Sequence, residues 1–308
     1  MAMHKIPDTT IYLGSLFALR GRQSLQDAGI THILSVLQDD IEPKLAEGFT
    51  HMHVQLQDDE DEDILKHFDK CHEFIRSGLE SGGAVLVHCV AGISRSATIV
   101  TSYIMKTRQL TAPEALAIVQ QGRERASPNP SFLEQLDVYY NDGLVVSEAL
   151  PNYRRWKLRK DAEIATAAGA APRVVYAPDR AERGIATAIE LRCKKCRCPL
   201  STGAAIIPHS PRPTSSSQQL LRSTKIGPGM VSVLQQGCNH YFLDPVRWMK
   251  PELEKGELEG KFDCPKCNTK IGSYRWQGMQ CTCGEWVTPG ISVQRGRVDE
   301  VRIFASKA

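Results

Sequence analysis

Nowhere in the 308-residue chain do eighteen apolar residues run together, so no bilayer-spanning helix is legible. The opening MAMHKIPDTTIYLGS places no apolar core behind a basic start, and no secretory leader is legible either. The expectation is a soluble, intracellular protein. Disulfides are then not expected, and the ten cysteines read as metal ligands or nucleophiles. Biased composition is missing as well: 42% hydrophobic and 24% charged residues exclude collagen-like, fibrous or wholly disordered chains. A strong net charge is absent at +3, but that balance conceals a split. Residues 1–150 hold 12 Lys and Arg against 21 Asp and Glu, a balance of −9. Residues 151–308 hold 26 against 14, a balance of +12, and eight of the ten cysteines. The chain is long enough for two ordinary domains, and these asymmetries predict two of different chemistry. The expected boundaries are 1–150, a basic segment and linker at 151–188, and 189–308.

The first half reads as α/β. Apolar runs at 11–13, 33–37 and 54–56 look like strands, and 84–87, entered through Ser81-Gly82-Gly83, has the unbroken character of a strand buried on both faces. Ile64, Phe68, Cys71, Phe74, Ile75 and Leu79 recur at helical spacing, with the acidic run 58–63 expected at that helix's start and Cys71 in its core stripe. Thr111-Ala112-Pro113-Glu114 has the cap, early proline and returning acid that open a helix. A last amphipathic stretch contains Phe132, Leu133, Leu136 and Tyr140. The expected architecture is a central, mostly parallel sheet flanked by helices.

Directly after the buried strand comes His88-Cys89-Val90-Ala91-Gly92-Ile93-Ser94-Arg95-Ser96, followed by a helical run. A cysteine at a strand end, five residues, then an arginine opening a helix is an anion cradle with a nucleophile at its base. Backbone N–H groups of Val90, Ala91, Gly92, Ile93, Ser94 and Arg95 can converge on phosphoryl oxygens, and the helix start adds partial positive charge. That field favours the thiolate of Cys89. Gly92 permits the tight turn, and the Arg95 fork can bind two phosphoryl oxygens. A loop of this form is similar to those of RNA 5′-triphosphatases and phosphoinositide phosphatases as well; the latter often carry extra lysines between Cys and Arg, and the apolar Val90, Ala91 and Ile93 argue against that substrate.

The string His-Cys-x-x-Gly-x-Ser-Arg-Ser resembles the signature of the dual-specificity, cysteine-based protein phosphatases. Flanking text agrees, from Tyr12-Leu13-Gly14-Ser15 to Pro128-Asn129-Pro130-Ser131-Phe132, so that the likeness covers about residues 5–145. The resemblance implies that Cys89 attacks phosphorus to form a phosphocysteine and that Arg95 binds the phosphate. It also implies that Ser96 hydrogen-bonds the leaving sulfur and that His88 holds the loop and tunes the thiol. The family's general acid is an aspartate about thirty residues upstream. Asp58 is taken for that role, with Asp59 as its rival; Asp59, Asp61 and Asp63 otherwise read as solvated helix-start charges.

The second half opens on the basic run Tyr153-Arg154-Arg155-Trp156-Lys157-Leu158-Arg159-Lys160, read as a solvated helix and secondarily as a contact for nucleic acid. Cysteines then come in pairs. Cys193 with Cys196, and Cys264 with Cys267, place four thiolates where tight turns can aim them at one tetrahedral zinc. Cys238, Cys281 and Cys283 give three ligands of a second zinc, with His209 or His240 as the fourth, while Cys198 is surplus. A strand is expected at 204–207, and residues 208–224 read as a mobile Ser/Pro-rich loop. Aromatic text around the ligands would supply the core of a small β-rich two-zinc domain.

A phosphatase half followed by Cys-x-x-Cys, then Cys238 to Trp248, Cys-Pro-Lys-Cys and Cys-x-Cys-Gly is similar to the Yvh-type phosphatases of eukaryotes. That resemblance implies two structural zinc ions, His209 as the fourth ligand, and none needed for catalysis. It further implies a role in large (60S) ribosomal subunit assembly, with phosphoprotein substrates, a pre-60S particle as partner, and residence in cytoplasm and nucleus. Seven thiolates and two divalent ions would lower the second half only to about +9, a surplus suited to ribosomal RNA or acidic proteins. The alternative reading is a non-enzymatic assembly and exchange factor acting through the zinc domain.

Overall fold

The computed structural model describes residues 2–177, 189–209 and 238–302. Contacts divide the chain into two compact units, Met1–Tyr153 and Arg154–Ala308. Among the described residues no helix is long and apolar enough to cross a membrane.

The first unit contains β1 (Met3–Lys5), β2 (Ile11–Ser15), α1 (Arg22–Asp27), β3 (Ile30–Leu37), the short turn α2 (Pro43–Ala46), β4 (Thr50–Gln55), α3 (Phe68–Glu80), β5 (Ala84–Cys89), α4 (Arg95–Arg108), α5 (Ala112–Gly122) and α6 (Pro130–Asn141). The sheet order is β1-β2-β5-β3-β4, parallel except for the edge pair β1 and β2. All six residues of β5 are buried, as its unbroken apolar text requires of a strand covered on both faces. Helix α4 packs next to it with buried side chains from Arg95 to Met105. At the start of α5, the Thr111 N–H donates to Glu114 Oε2 at 2.9 Å, the returning half of the capping box.

The acidic run departs from expectation. It does not start a helix: α3 begins at Phe68 after a 3-10 turn at Leu65–His67, and Asp58 to Asp63 form an irregular loop. Short-range bonds explain this, because Asp59 Oδ1 accepts from the Asp61 N–H at 2.9 Å and Glu62 Oε1 from the Gln57 N–H at 3.2 Å. Such side-chain bonds compete with helical ones, and repulsion among neighbouring carboxylates adds to the bias.

Helix α7 (Pro151–Ala167) starts just before the division between the units. The second unit then contains β6 (Ile189–Cys193), β7 (Pro199–Thr202), β8 (His240–Phe242), the turn α8 (Lys250–Leu253), β9 (Glu259–Asp263), β10 (Lys270–Arg275), β11 (Met279–Gln280), β12 (Trp286–Val287), β13 (Gly290–Gln294) and β14 (Val298–Arg302). Two antiparallel sheets, ordered β8-β13-β10-β9 and β14-β6-β7, stand beside the hairpin β11-β12. Tyr241, Leu243, Phe262, Tyr274 and Trp276 fill the core, together with Cys193 and Cys264.

The basic run is helical but not solvated. Arg154, Trp156, Leu158 and Ala162 are buried, and Asp244, only 1% exposed, accepts from Arg154 at 2.9 Å and from Arg155 at 2.7 Å. A buried carboxylate needs such partners, which removes both guanidinium groups from any external ligand. Residues 204–207 are not a strand either. A 3-10 turn at Gly203–Ala205 leads to one isolated bridge, Ile206 with Leu243, and the Ile207 N–H donates to Phe242 O at 2.8 Å. Apart from Pro208 and His209, the Ser/Pro-rich segment 208–224 lies outside the described residues.

Candidate active site and metal centres

Strand β5 delivers Cys89 to the sheet's end, paired with Ser15 of β2, and α4 starts six residues later at Arg95. The intervening loop has its carbonyls held from outside. Val90 O accepts from the Leu16 N–H (3.1 Å), Ala91 O and Gly92 O from Arg123 (2.9 and 2.7 Å), and Ile93 O from the Ser127 N–H (2.8 Å). With four successive carbonyls so engaged, the loop's N–H groups are free to face the concavity, the arrangement an anion needs. The Cys89 sulfur lies at its base, accepting from the Gly92 N–H and the Ser96 hydroxyl, each at 3.2 Å. Gly92 has φ +69°, and a Cβ there would lie 2.3 Å from Gly14 O, so both conformation and space exclude a side chain.

His88 is fully buried; burial pushes its imidazole down to about 4, so the ring is neutral at pH 7. Its Nε2 meets Ser35 Oγ at 2.7 Å and its Nδ1 faces Cys89 O at 3.3 Å, which ties β3 to the loop. Arg95 is 7% exposed and donates to Leu56 O at 2.9 Å, leaving its Nε buried without a hydrogen-bond partner and 3.8 Å from Asp58 Oδ2. Asp58 Oδ1 accepts from Ser94 Oγ at 2.6 Å and from Asn129 Nδ2 at 3.0 Å. Asp58 and Arg95 line one cleft; Asp59 is turned to the Asp61 N–H and does not line it. Asp63, expected to be solvated, is 8% exposed and accepts from the Tyr153 hydroxyl at 2.7 Å. Cys71 is fully buried, and burial pushes its thiol up to about 12, leaving it inert.

The structure thus brings together a sulfur nucleophile, a ring of donors, a guanidinium and a carboxyl group. Arg123, Asn129, Ser35 and Gln135 also serve this site, and sequence reasoning assigned them no role. Only Asn129 carried a local signal, standing before Pro130 as a helix cap, and its Oδ1 does accept from the Phe132 N–H at 2.9 Å.

In the second unit two groups of ligand atoms lie within 4.8 Å of one another: Cys193, Cys196, Cys264 and Cys267, and His209, Cys238, Cys281 and Cys283. In the first, Cys193 and Cys267 sulfurs are 3.8 Å apart and Cys196 and Cys264 sulfurs 3.6 Å. A tetrahedral zinc with bonds of about 2.3 Å requires sulfurs about 3.8 Å apart, so this donor set fits that ion. The two turns that supply it are copies of one design. The Arg197 N–H returns to Cys193 O and the Asn268 N–H to Cys264 O at 2.8 and 2.9 Å, and both residues are left-handed at φ 62° and 53°. In the second group His209 Nε2 approaches Cys281 Sγ to 3.1 Å, whereas His240 is not a member. The two donor sets alternate along the chain.

The dual specificity phosphatase catalytic domain profile matches residues 11–142. The chain is 40% identical over 294 residues to the tyrosine-protein phosphatase yvh1 of Schizosaccharomyces pombe, covering 95% of this chain and 83% of that protein. It is 34% identical to the human dual specificity protein phosphatase 12, covering 96% and 87% of the two chains. Among solved structures, the Yvh1 phosphatase domain from Chaetomium thermophilum is 30% identical, with a TM-score of 0.44, covering 47% of this chain and 99% of that one.

Proposed function

Since the chain belongs to the Yvh-type dual-specificity protein phosphatases, we propose that its first unit hydrolyses phosphotyrosine and phosphoserine/threonine through Cys89. The Cys89 sulfur attacks phosphorus in line while the loop N–H groups and Arg95 bind the equatorial oxygens, whose charge grows in the transition state. Asp58 donates its proton to the departing oxygen, and the S–P bond of a phosphocysteine replaces the O–P bond. Asp58, now the carboxylate, takes a proton from water as that water attacks, and the Ser96 hydroxyl stabilises the leaving sulfur. The observation that carries this reading is the pair of bonds that Gly92 and Ser96 direct onto the Cys89 sulfur beneath a loop stripped of inward carbonyls. Cys89→Ser is expected to abolish hydrolysis of a generic aryl phosphate. Asp58→Asn should slow poor leaving groups most, and equal loss for good and poor ones would remove Asp58 from the acid role.

Cys193, Cys196, Cys264 and Cys267 would hold one zinc and His209, Cys238, Cys281 and Cys283 a second, each ion cross-linking the fold with no part in the chemistry at Cys89. We further propose that this unit docks on a large-subunit ribosomal precursor in cytoplasm and nucleus. The +12 balance of residues 151–308 supports that reading, as do exposed Lys194, Lys195 and Lys266 at the tips of the two cysteine turns. Rescue of a null strain tests it: full rescue by Cys89→Ser and none by Cys193→Ser/Cys264→Ser would make docking the main task, and the reverse would make it catalysis.

A further inference from the structure

A cleft of about 470 Å³ is lined at the active site by Asp58, Arg95 and the loop residue Val90, and its remaining wall, formed largely by residues 37–45, takes no part in the chemistry at Cys89. Its walls combine two materials. Leu16, Leu37, Ile41, Leu45 and Val90 give apolar surface, and Asp39, Asp40 and Glu42 give acidic groups exposed to solvent. Asp40 pairs with His53 at 2.7 Å, but Asp39 and Glu42 are exposed and neither forms an ion pair among the described residues. The cation in this lining is Arg95, more than nine-tenths buried, its Nε 3.8 Å from Asp58 Oδ2 but without a hydrogen bond, so that it can turn one to a phosphoryl group. Carboxylates beside a phosphate site weaken the binding of any second anion. Apolar surface beside exposed carboxylates suits an aliphatic stem with a cationic tip.

Phosphate at one end and a cation along the wall are met together by one polypeptide. We propose that this cleft selects phosphopeptides carrying lysine or arginine within two residues of the phosphorylated side chain, a span of up to about 7 Å of extended chain. The inference rests on the phosphatase reading above and adds the substrate class. It also predicts that polyanions, such as phosphoinositide headgroups, are poor occupants, because their additional phosphates would face Asp39 and Glu42.

The test uses the full chain and three phosphotyrosine peptides alike except that both residues on either side are Lys, Ala or Glu. The expected order of kcat/KM is Lys above Ala above Glu, about three- to tenfold per step at low salt, contracting as salt is added. Asp39→Asn/Glu42→Gln should flatten that order and leave hydrolysis of p-nitrophenyl phosphate unchanged. Equal kcat/KM for the three peptides, a Glu peptide turned over fastest, or a Lys preference surviving in the double variant would overturn the cleft assignment. So would a phosphoinositide headgroup turned over faster than the Ala peptide. Binding of the same peptides to Cys89→Ser keeps the two readings distinct. Absence of turnover on every substrate defeats the phosphatase reading, whereas equal binding of the Lys and Glu peptides defeats this one.

Discussion

Asn129 makes three bonds at one corner of the site: its Nδ2 holds Asp58, its N–H donates to Ser94 Oγ at 3.1 Å, and its Oδ1 caps α6. Asn129→Asp keeps a good cap but replaces the amide donor with a second carboxylate facing Asp58. The expected outcome is near-native stability, slower turnover of alkyl phosphates and a shifted pH profile, while activated aryl phosphates react nearly as before. Comparing leaving groups and melting temperature of that variant checks it. Burial sets a second expectation. His72 and His88 are pushed down to about 3 and about 4, so they stay neutral in the native unit while the unfolded chain protonates near 6.5. The unfolded state therefore binds more protons below that value. Their contribution, on the order of a few kcal/mol each, is complete above about pH 6.5 and fades as pH falls towards 4 and then 3. Urea midpoints of the first unit's transition at pH 7, 5.5 and 4.5 should decline in that order. At this scale the loop was legible because Cys89, Gly92, Arg95 and Ser96 are neighbours in the chain. The bond between Asp58 and Asn129 joins positions 71 apart and leaves no local trace.

Periodicity made β2, β3, β5, α3, α5 and α6 of the first unit readable, since a strand buried on two faces and an amphipathic helix leave different spacings, whereas the short β1, α1 and α2 were too brief to leave one. The loop between β4 and α3 obeyed neither. Its form depends on Gln135 of α6, fully buried, whose Oε1 accepts from the N–H groups of Ile64 and Leu65 at 2.9 and 3.1 Å and whose Nε2 donates to Glu62 O at 2.9 Å. One side chain thus substitutes for a missing helical turn and fixes the segment that carries Asp58. Gln135→Leu keeps most of the volume and orphans those N–H groups, at an expected cost of about 2–4 kcal/mol. Denaturant titration should register that loss, and hydrogen exchange at Ile64 and Leu65 should accelerate. In the second unit the cysteine turns and the helical character of the basic run were legible, whereas the burial of that helix was not. A run of arginines looks solvated until its buried counter-charge, Asp244, is known.

Across the molecule, two units with opposite charge and different means of stabilisation predict separable responses. The first unit has a sheet and helices around a core of its own, and the second places the sequence-distant Cys193 and Cys264 inside its core. Metal analysis of the chain purified without chelator should give about two zinc ions. Exhaustive chelation should unfold the second unit, with loss of the near-ultraviolet signal of buried Tyr241, Tyr274 and Trp276, while aryl phosphate hydrolysis persists. A metal content near zero, or a signal indifferent to chelator, would refute the ligand sets. The alternation of donors has a consequence during synthesis. Cys196 and its partner Cys264 are 68 positions apart, and the second set is completed only by Cys283, after the first. At about 5–20 residues per second, a nascent chain carries its first pair of thiols uncapped for roughly 3–14 s, and every stall before residue 264 lengthens their exposure to oxidants.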